Sequence, residues 1–172
     1  MWPDGCCRVS EPVLLVRRGG ILDAKKLRSI RLEALADEPD AFGASFDDVV
    51  KWTRVRWLLV ALRWNYYLGS LDGEVVGMAT GGGRGQRSES HWLFGMYVSP
   101  RARGTGLAAL LVGVVEDWVL EKGGDALFLH VTESVPRARA FYNKVGFKPT
   151  GDTFAMERDP SLRLVTMVKH LV

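Results

Sequence analysis

The fold is decided by one stretch, LFGMYVSPRARGTGLA (residues 93–108), which combines a strand, a glycine loop and the start of a helix. Residues 93–99 predict a buried strand, and Pro100 ends it because proline has no N–H to donate to a neighbouring strand. Gly104 and Gly106 leave the backbone N–H groups of the following loop uncovered. Because a helix follows, its positive dipole end points at the same place, so the stretch predicts an anion site whose usual ligand is phosphate.

The helix after the loop is predicted from apolar residues that recur every three or four positions. They are Leu107, Leu110, Leu111, Val114, Val115, Trp118 and Val119. This spacing is typical of a helix with one face in the core. The pair Gly123-Gly124 ends the helix, and residues 126–131 predict another buried strand.

Two known phosphate motifs compete for the glycine loop. A Walker loop needs Lys and then Ser or Thr after its last glycine, whereas Leu107 and Ala108 follow here, so that motif is excluded. The dinucleotide fingerprint G-x-G-x-x-G/A accepts Gly104, Gly106 and Ala109. A nucleotide-binding module therefore stays open as an interpretation of the loop alone.

The residues before the loop predict antiparallel strands. Asp72-Gly73 separates residues 64–71 from residues 74–80 and is a strong hairpin signal. Together with residues 93–99, three antiparallel strands then precede the loop. This order disfavours a doubly wound dinucleotide fold, which places a helix between successive strands.

The remaining elements are predicted from local signals. Further helices are expected at about residues 23–36, 47–62 and 136–145, with Asp23 as the first N-cap, Asp47 or Asp48 as the second, and Gly146 as the last C-cap. Further strands are expected at residues 13–18, from Phe147 onward and at residues 164–171.

Two motifs carry a resemblance to a known family. Arg103, Gly106 and Ala108, directly after a strand ending in Tyr-Val-Ser-Pro, resemble the acyl-CoA loop of the GNAT N-acetyltransferase superfamily, whose pattern is Gln/Arg-x-x-Gly-x-Gly/Ala. The segment FYNKVGF, residues 141–147, resembles a second signature of that family, Leu/Phe-Tyr-x-x-x-Gly-Phe. Both occur in the family's order and on the predicted elements, over residues 93–147.

The resemblance implies a fold and a domain. The fold is α/β (α+β), with a mixed, mostly antiparallel central sheet of about six or seven strands flanked by about four helices. Two parallel central strands, residues 93–99 and 126–131, splay apart and hold the pantetheine arm of acetyl-CoA between them. A single N-acetyltransferase domain is expected over residues 13–172, after a flexible N-terminal lead at residues 1–12.

The resemblance also assigns cofactor contacts for acetyl-CoA. Backbone groups of the central strand would bind the pantetheine and the thioester, and the loop would bind the phosphates. The residues are Met96, Tyr97 and Val98 for the strand, and Arg103, Gly104, Thr105, Gly106, Leu107 and Ala108 for the loop. Many members carry an Asn seven residues before the signature tyrosine, but Val135 stands there in this chain, and Ser134 or Thr132 could replace its contact.

The chemistry of acyl transfer selects further candidates. The amine must be neutral, the oxyanion needs a donor, and the leaving thiolate gains from a proton. The resemblance places Tyr142 at the sulfur, and its unperturbed pKa of roughly 10 keeps it protonated at neutral pH; a purely structural core tyrosine is the alternative. Glu133 is the candidate base, with Glu89, His91 or a water relay without a dedicated base as alternatives.

The acceptor is expected to be a small primary amine, a metabolite or an antibiotic, against an apolar wall of Phe42 and Trp57. Trp52, Trp57 and Trp64 lie on or beside the second predicted helix, where core packing is the competing interpretation. An acetyltransferase acting on protein lysines or N-termini, and a non-catalytic acyl-CoA sensor, remain alternative functions. The resemblance leaves a homodimer open, since homodimers are common among relatives.

Composition limits the other partners. The net charge of +3, from 23 basic and 20 acidic residues, is too small to predict nucleic-acid binding, although it suits an anionic cofactor. Adjacent Cys6 and Cys7 predict free thiols in a reducing cytoplasm. No apolar run predicts a membrane span or a secretory signal. His91, His130 and His170 are scattered and predict no metal site.

Overall fold

The computed structural model describes residues 12–83 and 90–172. Cys6, Cys7, Glu89 and the predicted lead up to residue 11 lie outside the described residues. Within them, seven strands form one sheet: β1 Leu14–Arg18, β2 Asn65–Leu71, β3 Glu74–Gly83, β4 His91–Val98, β5 Ala126–Thr132, β6 Lys148–Ala155 and β7 Arg163–His170. Their order across the sheet is β1-β2-β3-β4-β5-β7-β6.

The described residues also form five α-helices: α1 Ala24–Asp37, α2 Phe46–Val49, α3 Arg54–Arg63, α4 Leu107–Glu121 and α5 Pro136–Lys144. Four were expected. The additional helix arises because the predicted helix at residues 47–62 is broken in two. Ser45 and Thr53 each accept a hydrogen bond from the amide three residues later, so each caps a separate helix. The proposed caps Asp47 and Asp48 were wrong, since both lie inside the first turn of α2.

The predicted hairpin between β2 and β3 is confirmed. Asp72 and Gly73 have φ of 51° and 85°, which places both turn residues in the left-handed region that a two-residue hairpin loop requires. β1 pairs with β2, β2 with β3 and β3 with β4, all antiparallel. The antiparallel half of the expected sheet therefore precedes the glycine loop.

The parallel pair of β4 and β5 is short, as the splayed arrangement requires. Only three positions pair, the last of them Leu93 with Leu129. β5 continues to pair with β7 as far as Thr132, and β4 continues beside β3 as far as Val98. The two central strands therefore separate after Leu93 and leave a gap in the middle of the sheet, which confirms the predicted fold.

Helices cover both faces of the sheet because successive side chains of a strand point to opposite sides. Tyr67 packs in a core with α4 and α5, whereas its neighbour Tyr66 packs in a second core with α1, α2 and α3. On β5, Leu127, Leu129 and Val131 all belong to the core on the α4 and α5 side. The gap between β4 and β5 is thus the place where the two helical layers face each other.

Candidate active site

A cavity of about 680 Å³ runs through the gap between β4 and β5. Residues from both faces of the sheet line it. From the α1 to α3 side come Leu27, Arg31, Phe42, Trp52, Trp57 and Trp64; from the α5 side come Val135, Ala138 and Tyr142; from the strands at the gap come Phe94, Gly95, Met96, His130, Val131 and Thr132. Two molecules entering from opposite faces could therefore meet within the sheet.

A bulge in β4 shapes the wall of this cavity. Phe94 pairs with Thr80 and Tyr97 with Met78, so Gly95 and Met96 stand opposite a single residue of β3. Gly95 has a φ of 55°, a conformation that favours glycine. Past the bulge, no strand of the described residues lies beside β4 on its β5 side, and such an edge can bind an extended chain of amides as a further strand.

The glycine loop lies before α4 with its backbone exposed for an anion. Gly104 and Gly106 have φ of 82° and 93°. No described residue accepts a hydrogen bond from the amides of Gly104, Gly106 or Ala108. Thr105 donates its hydroxyl to the carbonyl of Ala102 at 2.7 Å, which holds the loop in shape. Helix dipole and free amides therefore coincide here, as the sequence predicts.

Arg103 makes contacts that the sequence does not reveal. Its guanidinium lies 2.5 Å from Asp37 and 3.2 Å from Glu38, both at the end of α1. Its Nε donates to the carbonyl of Val98 at 3.2 Å, so this carbonyl of β4 already accepts one hydrogen bond. The side chain of Arg103 thus fastens the loop to α1 and to the end of β4.

Tyr97 pairs with Met78 of β3 and does not line the cavity, and its side chain points away from the gap. The ring is buried in the core beneath α1, and its hydroxyl lies 3.2 Å from Asp37 and 3.3 Å from Glu33. Burial and then these two carboxylates raise the pKa of the phenol above its usual value. A role for Tyr97 toward a cofactor is therefore restricted to its main chain.

Tyr142 lies on α5 and lines the cavity from the side opposite to Arg31. Its ring packs edge-on against Phe147, with 5.6 Å between the ring centroids. Within the described part of the chain its hydroxyl has no hydrogen-bond partner, although the residue is only 8% exposed. Burial raises the pKa of Tyr142 above its usual value, which keeps the phenol protonated and able to donate.

Glu133, the candidate base, is exposed and does not line the cavity. Its amide donates to the carbonyl of Arg163 at 2.9 Å. His91, one alternative, lies at the opposite end of β4 from the bulge and packs against Trp118. The structure thus brings neither side chain to the gap.

His130 does line the cavity, although no sequence motif singles it out. It is the first residue of β5 beyond the last β4 pair. Its ring centroid lies 4.6 Å from the ring centroids of both Trp92 and Phe154, and its Nδ1 lies 3.3 Å from the Thr166 hydroxyl oxygen. The alternation of β5 could have revealed it, because Leu129 and its apolar neighbours face the α5 side and residue 130 must face the other.

Phe42 and Trp57, the two residues expected to form an acceptor wall, line the same cavity. Phe42 and Trp57 are both buried, at 8% and 3% exposure, and the ring centroids of Trp52 and Trp57 are 5.1 Å apart. Trp64 reaches the cavity but is 52% exposed. The indole Nε1 of Trp57 is buried without a partner in the described ranges, so it can donate to a bound molecule. Core packing and a substrate wall are therefore compatible for these residues.

Thr132 is the better of the two candidates to replace the missing Asn contact. Val135 lines the cavity just before α5 and offers no side-chain hydrogen bond. Thr132 also lines the cavity, and its hydroxyl is buried without a partner among residues 12–83 and 90–172. Ser134 is exposed and does not line the cavity.

Arg31 also lines the cavity, although the sequence does not reveal it as a functional candidate. It lies on α1, and its guanidinium stacks over the Phe42 ring at 4.7 Å from the centroid. Burial lowers the pKa of Arg31 to about 10, so it still carries its charge at neutral pH. No motif reports such a residue, because its position depends on how α1 packs over the gap.

The described part of the chain gives no sign of a metal centre or a membrane segment. It contains no group of three or more His, Cys, Asp or Glu side chains that could hold a metal ion. Over the same residues, no helix combines the length and apolarity needed to cross a bilayer.

Comparisons with known proteins agree with this geometry. Residues 29–147 match the model described as the acetyltransferase (GNAT) family. A GNAT acetyltransferase of Streptococcus pneumoniae superposes with a TM-score of 0.77 at 21% identity, over 93% of this chain and 100% of that one. The ribosomal-protein-alanine N-acetyltransferase of Brucella melitensis gives 0.71 at 22%, over 91% and 99%. The yncA protein of Salmonella typhimurium, solved with acetyl-CoA, gives 0.69 at 19%, over 93% and 95%. The chain has no match among curated proteins.

Proposed function

The chain belongs to the GNAT acetyltransferase family, and on this premise we propose that it moves an acetyl group from acetyl-CoA to a primary amine. The reaction is direct attack in a ternary complex, and the acceptor is a small metabolite or an antibiotic. The observation that carries the proposal is a continuous cavity that crosses the sheet between β4 and β5. A donor on one face and an acceptor on the other can react there without a covalent enzyme intermediate.

Acetyl-CoA would bind on the side of α4 and α5. The free amides of Gly104, Gly106 and Ala108 would hold the pyrophosphate, with Thr105 and Leu107 shaping the start of the helix. The pantetheine would lie along the open edge of β4 at Met96, Tyr97 and Val98. Arg103 would act by fixing the loop through its pairs with α1, which is a positioning role.

The chemical step needs a proton to leave the amine and another to reach the sulfur. The neutral amine attacks the thioester carbon, and a backbone amide at Met96 or Tyr97 stabilises the resulting oxyanion. The C–S bond then breaks, and the Tyr142 hydroxyl protonates the thiolate as it leaves. His130, or a water molecule beside it, receives the amine proton. Glu133 drops to a secondary candidate because it is exposed outside the cavity.

The acceptor side is the mouth between α1, α3 and the loop after β6. Phe42 and Trp57 give this side an apolar character, which supports a small amine with an apolar or aromatic portion. A protein lysine or N-terminus is the alternative acceptor. A non-catalytic sensor is disfavoured because the Tyr142 hydroxyl faces the cavity without a structural partner in the described residues.

Two measurements test the proposal. Acetyl-CoA should raise the melting temperature of the protein, whereas NAD and ATP should leave it unchanged. A broad panel of amines should then show release of free CoA that depends on both the protein and the amine. Stabilisation by NAD but not by acetyl-CoA would remove the cofactor assignment. Binding of acetyl-CoA without CoA release for any amine would favour the sensor.

A further inference from the structure

Arg31 occupies an unusual position for a charged residue. It lies four residues after Leu27 and four before Leu35, which are both buried, so it is on the face of α1 that packs toward the sheet. Its side chain lines the cavity on the acceptor side of the gap. A cationic group is rarely placed this way unless it has an anionic partner.

No such partner exists among the residues that the structure describes. Arg31 makes no ion pair or hydrogen bond there, and its only specific contact is the Phe42 ring at 4.7 Å. Arg103 and Arg137 differ from Arg31, since both are paired with carboxylates at the end of the same helix, α1. Arg158 also lines the cavity and has no carboxylate partner in the described ranges, but its guanidinium donates to the carbonyl of Pro39 at 2.9 Å, whereas Arg31 has no polar partner there.

The guanidinium is close to the place where the amine must attack. A Cβ atom on Gly95 would lie 3.4 Å from Nη1 of Arg31. Gly95 precedes Met96, one of the residues whose backbone would contact the thioester. The absence of a side chain at Gly95 keeps the space between the guanidinium and β4 open. A group bound to Arg31 would therefore lie within a few bonds of the attacking nitrogen.

Building on the proposed function, we propose that the acceptor carries a carboxylate in addition to its amine, and that Arg31 binds this carboxylate. A planar guanidinium matches a carboxylate with two parallel hydrogen bonds, and the low exposure of the site strengthens them. The short reach from Arg31 to Met96 fits an amine next to its carboxylate, as in an α-amino acid. Phe42 and Trp57 would then contact an apolar or aromatic side chain.

The same charge discriminates against other acceptors. A lysine side chain, a polyamine or an aminoglycoside brings further positive charge toward Arg31, which raises the free energy of binding. A protein N-terminus has an amide where an amino acid has its carboxylate, so it leaves Arg31 without an anion. The inference therefore narrows the acceptor class to free amino acids and amines of similar structure.

The test uses acceptors that differ only beside the amine: L-phenylalanine, L-phenylalanine amide and phenethylamine. Matching sets built on L-leucine and L-tryptophan cover other apolar side chains. For each acceptor, kcat/KM is measured by CoA release for the wild type and for Arg31→Gln. For each acceptor, dividing kcat/KM of the wild type by kcat/KM of Arg31→Gln removes the intrinsic reactivity of that amine from the comparison. Arg31→Gln should lose about ten- to a hundredfold with the amino acid and less than about threefold with the other two forms.

Two further variants separate recognition from folding. Arg31→Lys keeps the charge without the planar fork and should recover part of the lost activity. Arg56→Gln is the matched control, because Arg56 also stacks on an aromatic ring that lines the cavity, 4.0 Å from the Trp52 centroid, but does not itself line the cavity. It should leave all three acceptors unchanged. Equal affinity for acetyl-CoA across the variants, measured by calorimetry, shows that the fold is intact.

Failure of the role proposed for Arg31 can be distinguished from failure of the proposed acetyltransferase function. An equal loss with all three forms, or no loss with any of them, overturns the role of Arg31 in recognising a carboxylate. If no amine releases CoA, the proposed function fails, and calorimetry with CoA-loaded protein decides the inference separately. Binding of an amino acid to the wild type but not to Arg31→Gln then supports it, and no binding of any amino acid overturns it.

Discussion

Replacing Tyr142 by Phe removes one hydroxyl and leaves the ring in place. The ring keeps its contact with Phe147, and no described residue loses a hydrogen bond. The free energy of unfolding should therefore change by no more than about 0.5 kcal/mol. The loss of the proton donor should slow turnover by roughly 10²- to 10⁴-fold, which corresponds to about 3–5 kcal/mol in the activation barrier.

The assay is CoA release at saturating acetyl-CoA and amine, together with denaturant unfolding of the same samples. Tyr67→Phe is the matched control, because Tyr67 is also 8% exposed and packs in the same core. Its hydroxyl accepts a bond from Asn65 at 3.3 Å and does not line the cavity, so this variant should lose about 1 kcal/mol of stability and no turnover. Turnover of Tyr142→Phe within threefold of the wild type would show that water protonates the sulfur.

Three further predictions concern the loop, the acceptor wall and acid stability. Gly106→Glu should weaken acetyl-CoA binding in calorimetry by tenfold or more. The causes are backbone strain of roughly 1–3 kcal/mol at positive φ and repulsion between the carboxylate and the phosphates. Gly151→Glu is the control, because Gly151 has a similar φ of 98° but lies outside the site, and it should leave the affinity unchanged. Phe42→Ala and Trp57→Ala should raise KM for the acceptor severalfold in steady-state kinetics and leave KM for acetyl-CoA unchanged, and the reverse pattern would contradict the wall. The hydrogen bond from Arg17 lowers the pKa of Asp23 to about 2, below its usual value near 3.8. The ion pair therefore stabilises the folded protein above pH 4, and this stabilisation is lost as the pH falls toward 2. Because this pair is at the surface, Asp23→Asn should reduce the change in the free energy of unfolding between pH 4 and pH 2 by only about 1 kcal/mol or less, as measured by denaturant unfolding.

The sequence predicts those parts of the fold that depend on neighbouring residues. Asp72-Gly73 specifies its hairpin because both positions need positive φ, and Pro100 with Gly106 fixes where β4 ends and α4 begins. The sequence does not predict two helices at residues 46–63, because a threonine at position 53 can lie inside a helix as well as cap one. Its capping role depends on a change of chain direction that the apolar periodicity does not record.

The site is less predictable because it depends on distant packing. Gly95 could have suggested a bulge, since a glycine inside an apolar strand is an available signal. That His130 faces the gap follows from strand alternation only after the end of the β4 and β5 pairing is known. Arg31 has no local signal, because a lone arginine on an amphipathic helix is usually solvated. Its lack of a counter-charge among the described residues becomes visible only when the packing around α1 is known.

One helix, α1, connects the two halves of the site. Its middle carries Arg31 against the acceptor side of the cavity. Its end carries Asp37 and Glu38, which hold Arg103 of the glycine loop, and Asp37 also contacts the hydroxyl of Tyr97. A shift of α1 would therefore move the carboxylate-binding group and the anchor of the phosphate loop together. Since the amine and the thioester must meet within the gap, mounting both anchors on one rigid helix fixes their separation before either molecule binds.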